Sequence, residues 1–167
     1  MPDKNEAIIK FLMECDEIQN NPLFFNFADA DDGNNHIISQ KDTVKRHYID
    51  GSVLKQYTFI IACYSSVAHI AIQNDESISD KNMENMAYVQ KILDWIDSQA
   101  HPIPTSEAAQ PAPHFPDFGP LCEINDMTTI NTDPDIDGID TSVNPPIARY
   151  SIGVNIEYLD KSKMIFN

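Results

Sequence analysis

The stretch Arg149-Tyr150-Ser151-Ile152-Gly153-Val154-Asn155-Ile156-Glu157-Tyr158 carries the strongest alternation in the chain and decides the fold. Successive side chains of an extended strand point to opposite faces, so Tyr150, Ile152, Val154, Ile156 and Tyr158 fall on one side. Arg149, Ser151, Asn155 and Glu157 fall on the other. The pattern predicts a strand with one buried face and one wet face.

A second sheet signal lies upstream. Thr43–Ile49 and Ser52–Tyr64 flank Asp50-Gly51, a dipeptide whose tolerance of positive φ suits a two-residue type I′ hairpin turn. The second arm begins half exposed at Lys55 and Gln56, then turns apolar on both faces through Phe59-Ile60-Ile61-Ala62, which predicts a central strand. Two helices supply a cover. In the first, Asp3 is positioned to cap and Glu6 to complete a capping box, and Ile8, Ile9, Leu12, Cys15 and Ile18 recur at helical spacing. The second is expected from about Asp80 to Gln99, capped by Ser79. Its stripe of Met83, Met86, Leu93 and Ile96 is widened by Tyr88, Ile92 and Trp95, enough to cover a sheet.

The connections are polar. Residues 20–40 are dense in Asn and Asp, which favour turns, with short strands expected at Leu23-Phe24-Phe25 and His36-Ile37-Ile38. Pro102 to Pro120 holds six of the eleven prolines and reads as an extended connection. A strand is expected near Leu121–Ile130, followed by a turn-rich segment from Asp133 to Pro146. Together these predict one domain over residues 1–167, α/β in the α+β sense. A mixed or mainly antiparallel β-sheet is covered by helices, with long loops at about 65–81, 100–120 and 131–147.

Composition narrows function by exclusion. With 26 acidic residues against 11 Lys plus Arg, the formal net charge is −15, which argues against a protein that grips nucleic-acid phosphates. The five glycines, at 33, 51, 119, 138 and 153, are too scattered to form a P-loop, a dinucleotide-binding turn or a G-x-S-x-G elbow. Cys15, Cys63 and Cys122 are odd in number and widely spaced, as expected of reduced thiols. Asp3 and Glu6 stand where a signal peptide would be basic, and the longest uncharged run, Gln56 to Asn74, contains Ser65, Ser66, His69 and Gln73. A soluble protein is expected, with no membrane partner.

Candidate chemistry is sparse. Asp133-Pro134-Asp135-Ile136-Asp137-Gly138 opens like a calcium loop, but the twelfth position is Asn144 and prolines follow at 145 and 146, so an Asp-rich solvated turn is the better reading. Asp29, Asp31 and Asp32 before Gly33 lack the spacing. Histidines 36, 47, 69, 101 and 114 form no ligand motif. A Cys63 nucleophile with His69 as base is conceivable, yet Cys63 sits in an apolar strand where a small buried hydrophobe is the commoner role. The aromatics, Trp95 included, fall largely on the predicted apolar stripes, where core packing is the commoner role. No catalytic, cofactor-binding or metal-ligating residue is assigned, and no cofactor is expected. Such a domain is more typical of a structural or assembly component than of an enzyme.

Three stretches, read in order, resemble one family. Val44-Lys45-Arg46-His47-Tyr48-Ile49-Asp50-Gly51-Ser52 continues through Gln56-Tyr57-Thr58-Phe59 to Ala62; Asn82-Met83-Glu84-Asn85 leads into the helix that reaches Asp94-Trp95-Ile96 and Gln99; Ala148-Arg149-Tyr150-Ser151-Ile152 runs to Tyr158. With Phe115-Pro116-Asp117-Phe118-Gly119, they resemble the minor capsid or tail terminator proteins of prophages and long-tailed phages of low-GC Gram-positive bacteria. That family is often labelled chloramphenicol resistance protein. Residues Ser65–Lys81 and Asp133–Pro146 are longer than the family's usual connections, so loop contacts do not carry over.

The resemblance implies a virion structural protein, assembled in the host cytoplasm, that forms a homo-oligomeric ring, usually a hexamer, at the head-proximal end of the tail tube. The ring stops tube growth and offers a head-docking or collar surface. Its partners would be the tail tube protein, a sheath and a head–tail connector, with DNA only in transit through the lumen. A negative lumen would repel passing phosphates. Exposed strand edges and long loops would make the heterologous contacts that close the ring. The alternatives are a head-completion or connector protein, a small calcium- or ligand-binding module, and a cysteine enzyme built on Cys63.

Overall fold

The computed structural model describes residues 3–21, 23–25, 32–67, 76–105 and 111–165. In chain order the elements are α1 (Lys4–Leu12), α2 (Asp16–Gln19), β1 (Leu23–Phe25), β2 (Asn35–His47), β3 (Val53–Ser66), α3 (Glu76–Ala100), β4 (Cys122–Thr129), β5 (Asp135–Asp140) and β6 (Ile147–Asp160). The six strands of the described residues form one sheet in the order β1-β2-β3-β6-β4, with β5 also paired to β6. β1 and β2 run parallel, and every other pair is antiparallel. This is a mixed sheet covered by helices, an α+β fold.

The alternating strand became the spine. One edge of β6 pairs with β3 in unbroken register from Val53↔Asp160 to Ser66↔Ile147. Its other edge is shared end to end, by β4 from Cys122↔Asp160 to Thr129↔Val154 and by β5 from Asp135↔Ser151 to Asp140↔Ile147. Phe59, Ile61 and Cys63 lie directly opposite Val154, Ile152 and Tyr150, all on the covered face and all buried. Over that face α1 lays Ala7, Ile8, Phe11 and Leu12, and α3 lays Val89, Ile92, Leu93, Ile96 and Ala100. Fully burying one such large side chain contributes about 1.5–3 kcal/mol, so the helical cover outweighs any surface pair. Phe11 of α1 meets Trp95 of α3 with ring centroids 5.0 Å apart, and Phe118 of the proline-rich connection sets its ring edge-on to Tyr158 at 5.4 Å. That connection carries no helix or strand among its described residues.

Several local expectations are corrected. The hairpin loop has three residues, not two: the Tyr48 amide donates to the Ser52 carbonyl (2.9 Å) around Ile49, Asp50 and Gly51, and only Gly51 needs the left-handed region, with φ +86°. Asp50 Oδ1 accepts from the Ser52 amide at 2.9 Å, so the Asp serves as a side-chain acceptor and not as a positive-φ residue. Asp3 caps α1 by accepting from the Asn5 amide, while Glu6 pairs with Lys10 at 2.7 Å instead of closing a capping box. α1 stops at Leu12, and α2 restarts after Cys15. α3 begins at Glu76, so Ser79 lies inside the helix, and Met83 is 65% exposed, off the buried stripe. Part of the expected 131–147 loop is the strand β5. Within the expected 65–81 loop, residues 68–75 lie outside the described residues.

Candidate assembly surface

A sheet ends where its last backbone groups find no strand, and this one ends twice. At the β2 side, β1 covers only Asn35–Ile37; from Ile38 to His47 no described strand lies outside β2. Residues 41–50 are all exposed. Two bulges interrupt this edge, between Ser39 and Lys41 and between Val44 and Arg46, and Lys41, Lys45 and Arg46 stand along it. Bulges and lysines are what natural edges use to discourage indiscriminate pairing.

The opposite side is built from β4 and β5. α3 packs beside β4, and His101, just past the end of α3, holds Asp126 at 2.9 Å and Asp97 at 3.1 Å. Those two carboxylates raise the His101 pKa. β5 is more open, with all six residues exposed and β6 its only described strand partner. Strands are depleted in Asp, and β5 is held nevertheless because Arg149 Nε and an Nη reach Asp137 at 2.6 and 2.9 Å and Ser151 donates to the same carboxylate. Burial alone would push the Asp137 carboxyl up; the Arg149 and Ser151 bonds outweigh it and hold it below the usual range.

The face of the sheet that no described helix covers, its uncovered face among the described residues, satisfies its polar groups sideways. Lys45 pairs with Glu157 at 2.7 Å, and Asn155 Oδ1 accepts from Thr58 at 2.7 Å and from Gln56 at 3.3 Å. A cavity of about 420 Å³ lined by Asn21, Asp32, Gly33, Ser65, Glu84, Asn85 and Tyr88 is polar in the same way. Asn21 donates to the Tyr88 hydroxyl at 3.2 Å and Asn85 to the Ser66 carbonyl at 2.8 Å, so its amides already bind protein.

The residues singled out from sequence are dispersed. Asp135 and Asp137 sit on a strand in place of the expected turn, and Asp137 is committed to Arg149 and Ser151. Asp32 caps the Ser66 amide at 2.8 Å, while Asp29 and Asp31 lie outside the described residues. His36 is buried beside Tyr64, ring centroids 5.5 Å apart, and burial followed by the charge of Arg149 lowers its pKa. His47 ends β2, and His114 reaches Glu14 at 2.7 Å and packs against Phe11. Among the described residues no three His, Cys, Asp or Glu side chains gather as a metal site would require. Cys63 is fully buried and its thiol is pushed up to about 12 by that burial, with no thiolate at neutral pH; His69 lies outside the described residues.

Two polar pairs were missed on the covered face. Lys55 Nζ lies 2.7 Å from Asp160, and the Tyr158 hydroxyl donates to Asp42. A signal existed, since Lys55 and Asp160 continue by steps of two the apolar rows Tyr57-Phe59-Ile61 and Tyr158-Ile156. Charged residues at such positions need partners. The Asp160 carboxyl, though pushed up by burial, is held at about 2 by Lys55 and Ser162. Compared with protein-family models the chain matches none, and no curated protein is significantly similar to it.

Proposed function

We propose that this chain is a non-enzymatic virion assembly protein, a tail terminator that closes into a ring, hexameric by resemblance, on the head-proximal end of a tail tube. The observation that carries the reading is the open sheet: among the described residues it is a single six-stranded layer with helices on one face, and no described strand pairs with its outer edge on either side. Unpaired edges of that length are templates for another chain. Edges on opposite sides of one molecule give head-to-tail contacts, and head-to-tail contacts close into rings when the rotation permits. The ordered sequence resemblance supplies the tail as the setting, and the tube protein, a sheath and a connector as partners. The acidic balance suits a channel through which DNA passes without sticking.

Deleting the gene from its prophage and imaging the induced particles tests this. Tubes of uncontrolled length, with the defect cured by supplying the protein in trans, are the expected result. Tubes of normal length carrying normally attached heads would refute the reading.

A further inference from the structure

The two open edges carry opposite charge. Between residues 38 and 47 stand Lys41, Lys45 and Arg46 against the single acid Asp42, which turns to the covered face and binds Tyr158. Residues 133–140 hold Asp133, Asp135, Asp137 and Asp140 and no Lys or Arg. Internal bonds occupy some of these: Lys45 with Glu157, Asp137 with Arg149, Asp140 with Ser142. Lys41 and Arg46 on one edge, and Asp133 and Asp135 on the other, make no ion pair among the described residues.

We infer that β2 of one copy takes up β5 of the next, with Lys41 and Arg46 facing Asp133 and Asp135 across the seam. The inference rests on the ring reading and specifies its contact. Strand direction fits, because β2 opposes β3, β3 opposes β6 and β6 opposes β5. In a sheet continued from copy to copy, β5 therefore meets the next β2 antiparallel, the commoner pairing. The faces fit as well. Lys41 and Arg46 lie opposite Thr58 and Leu54, and Asp135 lies opposite Ser151, all on the uncovered face. The levels differ by a small slip: Lys41 shares its row with Thr58 and Asn155, Asp135 its row with Ser151, four residues along β6. A four-residue slip is about 13 Å, and closing a sheet on itself requires strands to tilt and slip in this way. A second copy satisfies both edges at once.

The test is light scattering on the purified full-length chain at low salt. Lys41→Glu with Arg46→Glu leaves both edges acidic; Asp133→Lys with Asp135→Lys leaves both basic. Each double variant alone is expected to lose the assembly and run as a single chain, with far-ultraviolet circular dichroism unchanged. An equimolar mixture is expected to regain the wild-type mass, since each reversed edge then meets its complement. As a second arm, Lys41→Cys combined with Asp135→Cys should give a ladder of cross-linked copies under mild oxidation that wild type does not. Variants that assemble like wild type, a mixture that stays as single chains, or the absence of a ladder would overturn the edge pairing while leaving the ring intact. A wild-type chain that never assembles would overturn the ring reading itself.

Discussion

Tyr158 on β6 donates its hydroxyl proton to Asp42 on β2, 2.7 Å from the nearer carboxylate oxygen, reaching across the width of β3. The tyrosine is fully buried. Lys4 of α1 lies 3.3 Å from the same Asp42 and 5.3 Å from the centre of the Tyr158 ring. One contact thus ties the central strand, the open edge and the first helical turn. Burial, then the bond to Asp42, pushes the Tyr158 pKa up, so the hydroxyl remains a donor. Tyr158→Phe should cost about 1–2 kcal/mol in urea unfolding. Asp42→Ala should cost more, because it leaves a buried hydroxyl without its acceptor and Lys4 without its partner. A double-mutant cycle should show coupling between the two sites, and strict additivity would contradict the bond.

Gly51 is constrained twice over. Its φ of +86° is rarely open to other residues, and a Cβ there would stand 2.2 Å from the Lys163 carbonyl oxygen. The chain passes that close because the Ile165 amide donates to the Asp50 carbonyl at 2.6 Å, fastening the last described residues to the hairpin loop. Gly51→Ala should lower stability by about 2 kcal/mol or more through strain and backbone displacement. Gly138→Ala, with nothing within 4 Å of the new methyl, is the control and should change stability little. Thermal melts of the two variants decide it.

What was legible and what was not follow from how each element earns its place. β6 and β3 are buried along one side, so their apolar rows mark them at sight. Helix α3 was found but started late, since its first turn adds no apolar stripe to read. β5 was invisible because Asp135-Ile136-Asp137-Gly138-Ile139-Asp140 has the composition of a turn, and only the free edge of β6 with Arg149 beside it makes a strand there. Edge strands pair by neighbour, not by propensity. The opposition of charge between the two sheet edges was likewise hidden, since it needs the strand order before residues 41–46 and 133–135 can be compared.

The three thiols are predicted to differ in access. Cys15 and Cys63 are fully buried, with burial raising their pKa to about 11 and about 12. Cys122 is only partly covered. A native-state reaction with a thiol reagent should therefore label Cys122 alone and slowly, with Cys15 and Cys63 reacting after denaturation. Rapid native labelling of Cys63 would revive a reactive role for it. Cys63→Ala should cost stability and leave assembly unchanged.

Stability against pH should be bounded by one titrating group at each end, Asp160 and His101. The Asp160 carboxyl titrates at about 2 in the fold against 3.8 ordinarily. A depressed folded pKa contributes stability that is present above about pH 4 and lost as pH falls through about 2. With the side chain only 10% exposed, this amounts to about 2 kcal/mol. His101 has the opposite sign: Asp97 and Asp126 raise its folded pKa above 6.5, so its contribution is complete below about pH 6.5 and fades as pH climbs through the raised value. The imidazole is half exposed, and its step is the smaller one. Both contributions coexist between about pH 4 and 6.5. Asp160→Asn should flatten the acid limb of the urea midpoint without touching the other, and His101→Gln should flatten the limb above pH 6.5. Because α3 is tied to β4 through His101 and Asp126 at one edge of the sheet, loss of that second limb should appear first as faster amide exchange at the end of α3, ahead of any change in the β3–β6 ladder.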